Sequence, residues 1–122
     1  MRELSILIVE DDPLTRKALR VMLEHEDYPV DEAIDGVMAV EMIADGYYDV
    51  VITDMNMPKL SGSELAVQIL ARRPDQPIIL MTGYSDFMNS QKAEEMGIRA
   101  FVLKPLSRKM LAALVRRVID GR

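Results

Sequence analysis

The chain has 122 residues and a mass of 13.8 kDa, close to the commonest size for one domain and too small for two independent cores. It has no cysteine and one histidine, which excludes disulfide frameworks, thiolate metal sites, cysteine nucleophiles and a multi-histidine zinc site. Fifteen Lys and Arg against twenty Asp and Glu give a net charge of −5, without the basic footprint that direct nucleic-acid binding needs.

No apolar run is long enough for a membrane span, and no basic segment leads an apolar one, so a cytoplasmic location is the default expectation. The first strand is expected at Ser5–Val9, apolar after its serine. A helix follows, with Asp12 as N-cap, Pro13 in its first turn, and Leu14, Ala18, Val21 and Met22 on one face. Pro29–Ala33 alternates and reads as an edge strand; a second helix, carrying Val37–Ile43, follows Gly36 and stops near Gly46. Val50–Thr53 is a third strand, followed by a helix from about Ser63 to Arg72, ahead of Pro74. Ile78–Met81 precedes a helix over Ser85–Met96, stopped by Gly97. Ala100–Leu103 is the last strand, and the last helix starts at Ser107 and carries Met110, Leu111, Leu114, Val115 and Val118.

Strands apolar at every position are covered on both faces, and strict alternation with helices implies βα repeats around a parallel sheet. No linker or low-complexity tail separates the elements, so one domain over 1–122 is expected, with any effector lying elsewhere.

In such sheets ligands bind beyond the carboxyl ends of the strands. The first strand is followed there by Glu10, Asp11 and Asp12, the third by Asp54, the fourth by Thr82-Gly83 and the fifth by Lys104-Pro105. Singly, each has an ordinary explanation: a cap, a turn, a solvated lysine. Asp12 is assigned to capping. The remainder, gathered at one edge, is not explained that way. Carboxylates without histidine or cysteine make an oxygen-only site suited to Mg²⁺, and a lysine and a hydroxyl suit phosphoryl oxygens. A carboxylate there can attack phosphorus and form an acyl phosphate. Neither G-x-x-x-x-G-K-[ST] nor G-x-G-x-x-G occurs, so the phosphoryl group must arrive on a small molecule or another protein.

With ILIVEDDP, VVITDMNMP, IILMTG and AFVLKP in this order, the whole chain resembles the receiver domain of two-component response regulators. The resemblance implies a flavodoxin-like doubly wound sheet of five parallel strands, order 2-1-3-4-5, with five helices. It implies that Asp54 is the phosphoacceptor and that Glu10, Asp11, Asp54 and the backbone carbonyl of Asn56 hold Mg²⁺. Thr82 and Lys104 would bind the phosphoryl group, Phe101 would be the switching aromatic, and Lys104-Pro105 would be cis. The implied donor is a histidine kinase or histidine phosphotransfer protein, which the family meets at the first helix; Arg16, Lys17 and Arg20 are candidate contacts there. The implied role is a phosphoacceptor that assists only its own phosphorylation and dephosphorylation, and is otherwise not an enzyme. Glu10 stands where aspartate is more usual, and Phe101 where tyrosine is. Asn56 and Tyr84 flank the site and bear on the phosphoryl lifetime. The GIRAFVLKP and MTGYS segments are similar in style to receivers of hybrid histidine kinases, which leaves a free-standing regulator and a piece of such a kinase both open.

A phosphatase of the haloacid-dehalogenase type also uses a nucleophilic aspartate, but it needs a second aspartate two residues on, where this chain has Asn56. A receiver-fold scaffold that is never phosphorylated is the other alternative. His25 is expected to be exposed, Met38, Met42, Met81 and Met110 to fill the core, Met88 and Met96 to be at least partly buried, and Arg72-Arg73 and Arg116-Arg117 to be solvated helix ends.

Overall fold

The computed structural model describes residues 4–83 and 89–121. Strands and helices alternate: β1 (Ile6–Val9), α1 (Pro13–His25), β2 (Val30–Ala33), α2 (Gly36–Asp45), β3 (Val50–Asp54), α3 (Gly62–Arg72), β4 (Ile78–Thr82), α4 (Ser90–Met96), β5 (Ala100–Leu103) and α5 (Arg108–Asp120). All neighbours pair in parallel, in the order β2-β1-β3-β4-β5. The alternating strand at 30–33 lies at an edge, as its pattern requires.

Every residue of β1, β3 and β4 is buried, because helices cover both faces. Successive side chains along a strand point to opposite faces, so each strand serves two cores. Ile6 and Ile8 pack with Leu19 and Leu23 of α1 and Leu111, Val115 and Val118 of α5. Leu7 and Val9 pack with Ala39 and Ile43 of α2, Leu65 and Ile69 of α3 and Ala93 of α4.

Helix starts follow from local hydrogen bonding. Asp12, Asp35, Ser61, Asn89 and Ser107 each accept a backbone N–H from the first turn of the helix they precede. Ser61 and Glu64 form a reciprocal capping box, which starts α3 one residue earlier than expected. Gly97 takes a left-handed φ of 93° and closes α4. The expected start of that helix at Ser85, with Tyr84 and Met88, lies outside the described residues.

The buried face of α1 differs from the expected one. Leu19 and Leu23 are buried, whereas Leu14, Ala18 and Val21 face solvent; only Met22 of the expected set is partly buried against the core. Leu14 is 78% exposed. An i, i+4 pair one step round the helix meets the sheet, leaving an apolar strip outside. Met38 and Met110 are likewise exposed, while Met42 and Met96 are partly buried and Met81 is in the core. Arg73 is no solvated helix end: its guanidinium donates to the Gly46 carbonyl oxygen at 2.8 Å and stands 6.0 Å from the centroid of the Tyr47 ring. His25 is exposed as expected, in contact with Arg108 at 2.7 Å. No described helix is long and apolar enough to cross a membrane.

Candidate functional site

The strand order reverses at β1, so the carboxyl ends of β1 and β3 open side by side at the switch point where such sheets bind ligands. Register places Val9 beside Thr53, which brings the residues that follow, Glu10 and Asp54, to the same edge. Glu10, Asp11 and Asp54 each offer a carboxylate oxygen, and these oxygens all lie within 4.8 Å of one another. Glu10 and Asp54 are buried and Asp11 is exposed at the mouth. Three hard oxygen donors at this separation fit Mg²⁺, which takes carboxylates and keeps several waters.

Lys104, just beyond β5, reaches across two strands to this group. Its Nζ donates to Glu10 Oε1 at 2.7 Å and stands 3.0 Å from Asp54 Oδ1. Lys104 thus pairs with both acids, and the shorter contact is to Glu10, whose extra methylene lets its carboxylate reach the ammonium. Burial pushes the Glu10 carboxyl up from its ordinary value; the Lys104 hydrogen bond opposes this, and the nearby Asp54 charge adds to it. Burial alone would lower the Lys104 ammonium, but its hydrogen bonds to Glu10 and Asp54 prevail and hold it above its usual range. The pocket therefore gathers three carboxylates, two of them paired with one cation, an arrangement suited to receiving more positive charge.

Thr82 ends β4 fully buried, and its hydroxyl oxygen accepts from the Asn56 side-chain amide at 3.5 Å across the pocket. The Lys104 N–H donates to the Thr82 carbonyl oxygen at 2.8 Å, tying the two phosphoryl-binding candidates together through backbone. Lys104-Pro105 is cis, as expected. Phe101 is partly buried, on β5 beside Leu80, and packs into the core shared with α4. The Asp12 side chain turns away to cap α1, accepting from the Thr15 hydroxyl and then the Thr15 N–H, and those hydrogen bonds hold its carboxyl low. Its backbone N–H donates to Glu10 Oε2 at 3.2 Å.

Two of the three basic residues proposed as partner contacts are engaged within the chain. Arg16 donates to the Glu10 carbonyl oxygen at 2.9 Å and to Glu32 at 3.0 Å, and Arg20 pairs with Glu32 and Glu24. Lys17 is exposed. Sequence reasoning missed the anchoring of β1 by Arg16. It also missed Gly62, which packs against the backbone of Asp54. Nothing in a list of residue types marks either one.

An open parallel sheet with acids and a lysine converging beyond its central strands defines a doubly wound protein with a charged pocket at its switch point. Over residues 6–116 the sequence matches the response regulator receiver domain, and the chain belongs to that family. It is 36% identical to the sensor protein EvgS of Escherichia coli over 109 residues, 89% of this chain but 9% of EvgS. It is 32% identical to the transcriptional regulatory protein ResD of Bacillus subtilis over 117 residues, 96% of this chain and 48% of ResD. The chain thus spans at most about half the length of these relatives. Among solved structures, the response regulator TrrA of Thermotoga maritima, in complex with Mg²⁺ and BeF, superposes with a TM-score of 0.86 at 33% identity, covering 94% of this chain and 98% of that one. A receiver domain protein from Clostridium thermocellum gives a TM-score of 0.91 at 28% identity, covering 97% and 95%.

Proposed function

We propose that this receiver domain accepts a phosphoryl group on Asp54 in a Mg²⁺-dependent reaction and passes the signal on through a change of packing. The observation that carries this reading is the convergence of Glu10, Asp11 and Asp54 on one cation-suited point, with Lys104 3.0 Å from Asp54. An Asp54 carboxylate oxygen attacks phosphorus and forms a P–O bond, while the bond from phosphorus to the donor breaks and its electron pair leaves with the donor. Glu10, Asp11, Asp54 and the Asn56 carbonyl would hold the metal, which supplies charge neutralisation for the phosphoryl oxygens. Lys104 and Thr82 would bind those oxygens, and the work is largely positioning and electrostatics. In this reading the domain is a substrate and helper of phosphoryl transfer, without turnover on a separate molecule.

A histidine kinase or phosphotransfer protein is the proposed donor. The exposed apolar strip of α1 borders a groove of about 330 Å³ that includes Leu14, Ala18, Met22, Pro105 and Leu106 and reaches Lys104. A helix presenting a phosphohistidine beside Asp54 could bury its apolar face there. For the output, Thr82 and Lys104 both border β5, so drawing them to a phosphoryl group would bias the packing of Phe101 and the face of α4, β5 and α5. Beryllofluoride with Mg²⁺ should shift NMR signals of that face; shifts confined to the acid pocket would defeat this part.

The experiment for the central step is incubation with acetyl phosphate and Mg²⁺, read by intact mass. One hydroxylamine-labile phosphoryl group is expected on the wild type and none on Asp54→Ala or in excess EDTA. Equal labelling of Asp54→Ala would refute the assignment.

A further inference from the structure

The segment from Met55 to Ser61 joins Asp54 to α3 and carries Asn56. It has few hydrogen bonds of its own: Met55 N–H donates to the Met81 carbonyl oxygen at 2.7 Å, and Gly62 N–H returns to the Met55 carbonyl oxygen at 2.9 Å. Met55, Met57 and Leu60 pack against the core, Ser61 shares a capping box with Glu64, and two glycines stand in close contact with the two ends of the segment. A methyl carbon built on Gly62 would stand 2.3 Å from the Asp54 carbonyl oxygen, 2.9 Å from its carbonyl carbon and 2.8 Å from Leu80 Cδ1. A methyl carbon built on Gly36, at the start of α2, would stand 2.8 Å from Leu60 Cδ2 and 3.0 Å from Leu60 Cβ. Neither glycine has a positive φ, so what each provides is space. Between these contacts, Leu60 N–H closes on the Pro58 carbonyl oxygen at 2.7 Å around Lys59, whose φ is 70°. Lys59 Nζ also stands 3.9 Å from Asp35, the cap of α2.

We infer that Gly62 and Gly36 are positioning residues for phosphoryl transfer: the first sets the backbone of Asp54 from behind, and the second seats Leu60 and so fixes the loop that carries Asn56. The inference rests on the phosphoacceptor reading of Asp54. The two contacts differ in kind. At Gly62 the obstruction is backbone, which cannot rotate away, so any side chain there displaces Asp54 or α3. At Gly36 the obstruction is a leucine side chain, of which Leu60→Ala removes Cδ2 and Cγ and leaves Cβ at 3.0 Å, so that substitution relieves the crowding in part.

That difference supplies the test. Gly62→Ala, Gly36→Ala, Leu60→Ala, the Gly36→Ala/Leu60→Ala double variant and the control Gly46→Ala are compared at a temperature where circular dichroism shows each to be folded. At Gly46 an added carbon would meet its nearest neighbour at 3.4 Å, an ordinary contact. Mg²⁺ affinity is read by calorimetry and labelling rate with acetyl phosphate at saturating Mg²⁺. Gly62→Ala is expected to lose about tenfold or more in labelling rate, since a displacement of about 1 Å can cost about 10²-fold, and to bind Mg²⁺ more weakly. Gly36→Ala should lose less, and adding Leu60→Ala should recover part of that loss relative to Leu60→Ala alone. Gly46→Ala should behave as wild type. A folded Gly62→Ala with wild-type affinity and rate, or a Gly36→Ala defect that Leu60→Ala leaves unrelieved, overturns the inference. If Gly62→Ala does not fold, the Gly36 cycle decides alone. A wild type that takes no phosphoryl group defeats the functional reading instead and is distinguishable at once.

Discussion

The two ends of the parallel sheet treat buried polar groups in opposite ways. At the amino end, the groups that precede the strands are matched to fixed partners. Asp49 accepts the Ser5 N–H at 2.8 Å, and Gln76, 4% exposed, donates to the carbonyl oxygens of Tyr48 and Pro77 at 3.0 and 3.2 Å. Tyr48 donates its hydroxyl to Asp31 at 2.7 Å. At the carboxyl end, Glu10 and Asp54 share one ammonium, Asp11 stands beside them, and burial holds the Glu10 carboxyl above its ordinary value. Polar groups at the first end complete the fold. Those at the second leave a charge imbalance that a metal and a phosphoryl group can exploit.

Substitutions at the two ends should therefore respond differently to Mg²⁺. The largest effect is expected for Lys104→Met, which leaves Glu10 and Asp54 without their cation and should cost about 3 kcal/mol in metal-free protein. Mg²⁺ should recover part of that loss, so the gap to wild type narrows as metal is added in denaturant titrations. Gln76→Ala should cost about 2 kcal/mol by taking the side-chain donor from the buried Tyr48 carbonyl oxygen, while the Pro77 carbonyl oxygen keeps its Val51 N–H. Here Mg²⁺ should change wild type and variant equally. A Gln76→Ala deficit that shrinks with Mg²⁺ would break the separation of the two ends.

Tyr48→Phe should have a smaller effect, about 1 kcal/mol for the lost hydrogen bond to Asp31. Its pH dependence is specific. Burial, and then the hydrogen bond to Asp31, raises the folded phenol above the ordinary value of 10.0. The stability this group contributes is fully present below that value and is lost as pH rises through the folded one. The difference between wild type and Tyr48→Phe should thus be constant through neutrality and shrink only under strongly alkaline conditions. Thermal unfolding at a series of pH values checks it; a difference that grows on the alkaline side would contradict it.

The sheet was legible in the sequence because continuously apolar runs such as 50–53 and 78–81 fit no half-exposed strand. The site was legible for a related reason: polar residues directly after such runs can only emerge at the carboxyl edge, so Glu10, Asp54, Thr82 and Lys104 were placed together before any distance was known. The α1 face was misread because Leu14, Ala18, Val21 and Met22 satisfy helical spacing as well as Leu19, Met22 and Leu23 do. Spacing defines a stripe without saying whether a sheet or solvent covers it. Arg73 was misread as solvated because its acceptor, the Gly46 carbonyl, is backbone and carries no side-chain signal. The close approach of Gly62 to the Asp54 carbonyl was hidden for the same reason.

The central claim is that the carboxyl-end acids are held together at a cost that Mg²⁺ relieves. It is tested most directly by thermal unfolding of wild type and Asp11→Asn, with and without Mg²⁺, at constant ionic strength. Asp11→Asn removes one of the gathered charges and should be the more stable protein without metal, although most substitutions destabilise. With a Kd on the order of 1 mM, about 10 mM Mg²⁺ should stabilise wild type by roughly 1.4 kcal/mol, a rise of several degrees in Tm. Asp11→Asn should show much less of that rise. A wild type indifferent to Mg²⁺, or an Asp11→Asn protein that unfolds earlier than wild type without metal, would contradict the account.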